Sequence, residues 1–244
     1  MMNPWPYPLW IAHRGAGKLA PENTLAAFKL GHSYGYRAFE CDVKLSADEH
    51  CFLMHDATLE RTTNGQGTAA DKPWSELARL DAGGWHSEAY RGEPLASLEA
   101  VADFCIAEGC TVNLEIKPTP GTELRTGQVA SGEAARLWAG STPPLLSSFQ
   151  LEALLGAMEG APELPRALLL DALKPGWLDH AQRLGCVAVV THHPLMDEAT
   201  IAAIHGAGMR ALVYTVNETA RAQELLTLGI DGLITDAVDR FKPA

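Results

Sequence analysis

The 244-residue chain has no excess of positive charge, no paired-cysteine pattern, no long apolar run and no internal repeat. Its formal net charge of −11 argues against a nucleic-acid surface or an anionic membrane as partner, because both call for a basic patch. An anionic substrate would have to be met by local cations. The cysteines, Cys41, Cys51, Cys105, Cys110 and Cys186, are odd in number and lack metal-type spacing, so reduced thiols in a cytoplasmic protein are expected rather than a disulfide framework or a zinc knuckle. No segment approaches the roughly 18 apolar residues of a membrane span. The opening MMNPWPYPLW has neither the basic nor the apolar region of an export signal, so no exported or anchored form is expected.

What is present is 47% hydrophobic residues without a composition break, enough for one large α/β domain over 1–244. Pro4, Pro6 and Pro8 hold the first residues extended, and Leu9 to Ala12 reads as a short buried strand ending in His13-Arg14-Gly15. Asn23 is the expected N-cap of a helix over Leu25 to Leu30, with Gly31 or Gly35 closing it. Ser97 opens a helix to Ala107, and Asn217-Glu218 caps the last full helix. Strands starting near residues 9, 37, 111, 144, 166, 186, 210 and 231 alternate with helical sequence. Such a series of β/α units in about 250 residues describes a TIM (β/α)8 barrel, here with a truncated eighth helix. Residues 57–94 have no long periodic segment but many turn signals, which predicts an insert after the second-strand hairpin, folded over the active-site mouth. Trp85 is either an apolar wall of the site or packing within that insert.

The stretch Arg37 to Asp56 places charge inside strand-like sequence. Glu40 and Asp42 share one strand face, and two adjacent buried carboxylates call for a cation between them. Oxygen ligands favour Mg²⁺ or Ca²⁺ over zinc. Cys51 to His55 follows too closely for a helical crossover and must return antiparallel. A turn at Ser46 to Glu49 would pair Leu45 with His50, Cys41 with Met54 and Glu40 with His55. In TVNLEIK, alternation sets Asn113, Glu115 and Lys117 on one face.

Barrel active sites lie at the C-terminal ends of the strands, where His13, Arg14, Glu40, Asp42, Glu115 and Lys117 all fall. Glu40, Asp42 and Glu115 suit a three-carboxylate metal site, and His13 and His55 an acid and a base near neutral pH. Arg14 would offset phosphate charge, while Lys117 contacts phosphate or holds a carboxylate ligand. This set suits phosphodiester cleavage and exceeds what a stabilising ion-pair cluster needs. His192-His193, next to Pro194, reads as a loop pair rather than a second metal site.

These residues sit in motifs that, in order and spacing, resemble the glycerophosphodiester phosphodiesterase family. They are Ala12-His13-Arg14-Gly15, Pro21-Glu22-Asn23-Thr24, Glu40-Cys41-Asp42-Val43, His55-Asp56, Glu60 to Gly65, Leu80 to Gly83, Glu115 to Pro118 and Ile234-Thr235-Asp236. The resemblance spans about residues 8 to 240 and is greatest to cytosolic bacterial members associated with glycerol-phosphate uptake. It implies hydrolysis of glycerophosphodiesters such as glycerophosphocholine and glycerophosphoethanolamine to an alcohol and sn-glycerol 3-phosphate. It also implies a Mg²⁺ or Ca²⁺ on Glu40, Asp42 and Glu115, acid/base roles for His13 and His55, and attack on phosphorus by the substrate's own glycerol hydroxyl through a cyclic phosphate. Phe149 and Tyr214 join Trp85 as expected pocket residues, Tyr214 standing where many relatives carry Trp. The competing readings are a phospholipase-D-like hydrolase of lysophospholipids and a non-catalytic sensor of phosphate ligands.

Overall fold

Alternating apolar strands and amphipathic helices follow one another through a computed structural model that describes residues 5–243. Pro4 and the outermost ends of the expected 1–244 domain lie outside the described residues. In chain order the elements are β1 (Trp10–Ala12), α1 (Leu25–Ser33), β2 (Ala38–Leu45), β3 (Cys51–Leu53), α2 (Trp74–Leu77), α3 (Leu98–Ala107), β4 (Thr111–Ile116), α4 (Glu123–Leu137) and β5 (Leu145–Ser148). They continue with α5 (Leu151–Gly160), β6 (Arg166–Leu170), α6 (Trp177–Arg183), β7 (Cys186–His192), α7 (Glu198–Gly206), β8 (Arg210–Tyr214), α8 (Thr219–Thr227) and β9 (Gly232–Thr235). Eight strands run parallel in the order β1-β9-β8-β7-β6-β5-β4-β2, and Ala12 pairing with Phe39 closes the ring. This is the TIM barrel that the strand count predicts.

Ile11, Ala38, Leu145, Ala167, Ala188, Leu212 and Ile234 form one buried apolar cluster inside the barrel. Side chains two apart on a strand share a face, so the series Ala38, Glu40, Asp42 passes from this plug into the mouth. Burying Phe28, Phe39, Val101, Leu114 and Leu146 on the outer face packs the helices onto the strands. No helix follows β9 among the described residues. Instead Phe241 stacks on Trp10 with ring centroids 4.4 Å apart, and the Tyr36 hydroxyl donates to the Phe241 carbonyl at 3.1 Å.

Because β1 meets β2 only at Phe39, the same edge of β2 is free higher up, and β3 occupies it antiparallel. The register is one residue away from that expected: Leu45 pairs with Cys51, not His50, and Met54 N–H donates to Asp42 O. Glu49, in the left-handed region at φ 60°, ends a three-residue loop over Ala47 to Glu49, so the turn consumes one more residue than a tight four-residue turn does. His55 consequently lies just beyond the strand, one step past Asp42's partner.

Two expected caps are also corrected. Thr24, not Asn23, caps α1 by accepting from Ala27 N, since the Asn23 side chain is drawn to Asp42. Ahead of α8, neither Asn217 nor Glu218 makes a side-chain cap; Asn217 turns to the end of β9, accepting from Asp236 N at 2.9 Å. Ser97 does cap α3, and Gly35 closes α1 at φ 94°. The insert forms α2 and two 3₁₀ turns, with Leu59, Ala69, Leu77 and Ala82 packed on Phe52 and Met54.

Gly17 fixes how closely the loop after β1 approaches the end of β9. It sits at φ 57°, and a Cβ there would lie 2.1 Å from the Asp236 carbonyl oxygen. Gly17→Ala is expected to lower unfolding stability by about 2 kcal/mol, from strain plus overpacking, measured as a fall in thermal midpoint.

Candidate active site

Three carboxylates converge from two strands. Glu40 and Asp42 of β2 and Glu115 of β4 each present an oxygen within 4.8 Å of the others, and Asp42 is the β-ladder partner of Glu115. All three are buried. Burial pushes Glu40 and Glu115 above the usual carboxylate range, with Asp42's charge adding to it. Asp42 itself goes the other way: its burial is outweighed by Arg14 and Lys117, which hold it ionised. Lys117 donates to Glu115 and lies 3.6 Å from Asp42 Oδ1, and Arg14 Nε lies 3.4 Å from Asp42 Oδ2.

Glu40 Oε1, Asp42 Oδ1 and both amide atoms of Asn113 are buried without a hydrogen-bond partner among the described residues. Orphaned buried oxygens are costly, and a hard divalent cation satisfies such a set without geometry peculiar to transition metals. The residues present therefore fit a hard divalent cation. Asn23, in the left-handed region at φ 60°, holds Asp42 from two sides, donating to its carboxylate at 2.8 Å and accepting from its N–H at 3.1 Å.

Each histidine is backed by a carboxylate. His13 Nδ1 lies 2.6 Å from Asp236 Oδ1, and His55 Nδ1 2.6 Å from Asp56 Oδ1. Carboxylates at these distances accept from the ring, which leaves each Nε2 as the other ring nitrogen. His13 Nε2 is 3.7 Å from Glu40. Burial depresses both imidazoles, but Glu40 and Asp236 overturn that at His13, whose pKa is raised, while His55 stays lowered. Opposed shifts let one ring be protonated and the other neutral at the same pH.

His13, Arg14, Glu40, His55, Glu115 and Lys117 line a single cavity of about 210 Å³, and Asp42, which does not line it, is buried beside Glu40 and Glu115. Phe149 and Tyr214 line it too, edge to face at 5.7 Å, with the Lys117 ammonium 5.4 Å above the Phe149 ring. Trp85 is absent from that lining: it stays on the insert, donating from Nε1 to Ala82 O. The His192-His193 pair lies outside the cavity as well. A groove of about 890 Å³ continues outward, sharing His55, Glu115, Lys117 and Phe149.

Glu22, Asp56, Arg61 and Asp236 fall within the sequence motifs, but their contacts emerge only from the fold. The available signal was an acid adjacent to His55 and a second acid after the last strand, at the same end of the barrel as His13. Asn113 was visible on the polar face of its strand.

The chain matches the glycerophosphoryl diester phosphodiesterase family over residues 13–240. It is 32% identical over 236 residues to a glycerophosphodiester phosphodiesterase of Caldanaerobacter subterraneus subsp. tengcongensis, covering 93% of each chain. An Oleispira antarctica phosphodiesterase solved in complex with its product sn-glycerol-3-phosphate superposes with a TM-score of 0.89 at 34% identity, over 94% of this chain and 93% of that one. A glycerophosphodiester phosphodiesterase structure from Agrobacterium tumefaciens str. C58 gives 0.81 at 28% identity, over 95% and 97%. With the acidic cluster and the two histidines in one barrel mouth, the chain belongs to the glycerophosphoryl diester phosphodiesterase family.

Proposed function

We propose that the protein is a metal-dependent glycerophosphodiesterase of the cytoplasm, hydrolysing substrates such as glycerophosphocholine and glycerophosphoethanolamine to the free alcohol and sn-glycerol 3-phosphate. The observation that carries this reading is a cluster of three buried carboxylates, two of which line one cavity together with two carboxylate-backed imidazoles. The free, buried state of all five cysteines suits a reducing compartment. No helix among the described residues is long and apolar enough to cross a membrane.

Glu40, Asp42 and Glu115 would hold a Mg²⁺ or Ca²⁺, which when bound neutralises charge on the phosphate oxygens. Arg14 and Lys117 bind the same phosphate from the protein side and counter the chain's net negative charge. One imidazole takes the proton from the substrate's glycerol hydroxyl, whose oxygen attacks phosphorus. The other protonates the departing alkoxide. Water then opens the cyclic phosphate with the two roles exchanged, returning both rings to their starting protonation. Phe149 and Tyr214 supply the apolar wall against the glycerol carbons.

A second reading, hydrolysis of lysophospholipids, is favoured by the wide groove beside the cavity, where Phe149, Leu170, Trp177 and the exposed Leu151 present apolar surface. Faster choline release from lysophosphatidylcholine than from glycerophosphocholine would select it.

Purified protein with Mg²⁺ or Ca²⁺ is expected to release sn-glycerol 3-phosphate from glycerophosphocholine or glycerophosphoethanolamine in an enzyme-coupled assay; no release overturns the proposal. His13→Ala and His55→Ala should each lower turnover by at least about 10³-fold with the thermal midpoint preserved. Chelation should abolish activity. Adding the ion back at about 100 times its Kd should stabilise the wild type by about 2.7 kcal/mol and leave Asp42→Asn unmoved in thermal melts. Equal stabilisation of both proteins would refute the ligand set.

A further inference from the structure

The side chain of Arg61 lies in the insert, half in solvent, yet it joins both sides of the active-site mouth. Its Nε donates to Asp56 Oδ2 at 2.5 Å and its Nη2 to Asp56 Oδ1 at 3.0 Å. The same guanidinium donates to Glu22 Oε2 at 2.7 Å and to Glu22 Oε1 at 2.8 Å. Glu22 Oε1 also accepts from Arg14 Nη1 at 2.8 Å, and Asp56 is the carboxylate that receives His55 Nδ1. The chain of contacts therefore runs His55, Asp56, Arg61, Glu22, Arg14, Asp42, without a gap longer than 3.4 Å. Glu22 belongs to the loop after β1 and Asp56 to the segment after β3; their backbones are tied only indirectly, through Asn23 on Asp42 and Met54 on the Asp42 carbonyl, and Arg61 joins their side chains directly.

We propose that Arg61 is a positioning residue for the reaction: its planar fork locks the ring and tautomer of His55 through Asp56 and, at the same time, aims Arg14 at the phosphate through Glu22. Only a guanidinium can do both, because each carboxylate is gripped by two N–H groups and one nitrogen, Nη2, is shared between them. Without it, two carboxylates face each other across the mouth, Glu22 held only by Arg14 and Asp56 only by His55, and neither is braced by a second cation. Asp56 would then release His55, whose Nδ1 would no longer be held as the donor. The insert thereby becomes part of the catalytic apparatus through one side chain, although none of its residues beyond Ala57 lines the cavity or the groove.

The plain alternative is a surface ion pair, which contributes little to stability and nothing to turnover. The two are separated by variants at Arg61 and Asp56. This inference rests on the glycerophosphodiesterase reading, so its first readout does not use activity. In ¹⁵N-detected imidazole spectra, His55 is expected as the Nδ1–H tautomer in the wild type and as a mixture in Arg61→Met. An unchanged tautomer refutes the lock whether or not the protein turns over a glycerophosphodiester. Given wild-type turnover, Arg61→Met should lower kcat/KM by about 10²-fold, the scale of misplaced catalytic groups, with a thermal midpoint within about 4 °C. Arg61→Lys, which keeps the charge and loses the fork, should recover less than a tenth of that loss. Arg61→Met and Asp56→Asn combined should cost little more than either alone. Activity within twofold of wild type in Arg61→Met, full recovery in Arg61→Lys, or additive losses in the double variant would overturn the proposal.

Discussion

Negative charge buried at one barrel mouth is the constraint around which this molecule is arranged. Three carboxylates within 4.8 Å of one another cannot all ionise in a protein interior unaided. Asp42 is the one that stays charged because Arg14, Lys117 and the Asn23 amide all address it. Glu40 and Glu115 are left as the strained members, and their orphaned or lysine-gripped oxygens are what a divalent ion would relieve. The loop after β1 is bent accordingly, with Arg14 and Asn23 both at positive φ, so that the chain itself stores part of the cost of bringing these groups together.

Backbone architecture decides which side chains can reach that charge. β2 carries Glu40 and Asp42 upward on the face whose lower position, Ala38, closes the apolar plug. β4 supplies Glu115 in direct register with Asp42. The brevity of β1 has the larger consequence, since it leaves the edge of β2 on which β3 can pair, and that hairpin brings His55 back down to the level of the carboxylates. A longer first strand would occupy that edge, and the second histidine would have no path into the mouth.

Much of this was legible in the chain before its structure. Alternation in TVNLEIK places Asn113, Glu115 and Lys117 on one face, and the spacing of Glu40 and Asp42 sets them together as a buried acidic pair, because period-two patterns are local. The misread features are those whose partners are distant in sequence. Asn23 has the composition of a helix cap, but its amide serves Asp42, 19 residues away. Asn217 likewise serves Asp236 across 19 residues. The hairpin register turned on the left-handed backbone of a single residue, Glu49, a conformation that a glutamate does not advertise. Trp85 stayed with the insert for a similar reason: its indole N–H is satisfied three residues away, so nothing draws the ring toward the cavity.

The stacking of Phe241 on Trp10 bears on how the ring of strands stays shut. At the seam, β1 offers only three residues to β9 and a single pairing to β2, so ladder hydrogen bonds alone hold it weakly. With no final helix among the described residues to cover this gap, an aromatic latch and the Tyr36 hydroxyl on the Phe241 carbonyl take over that duty. The segment after the last strand thus acts as the clasp of the barrel, and because His13 follows directly on the short strand it secures, the placing of that imidazole is tied to a contact more than 200 residues away in sequence.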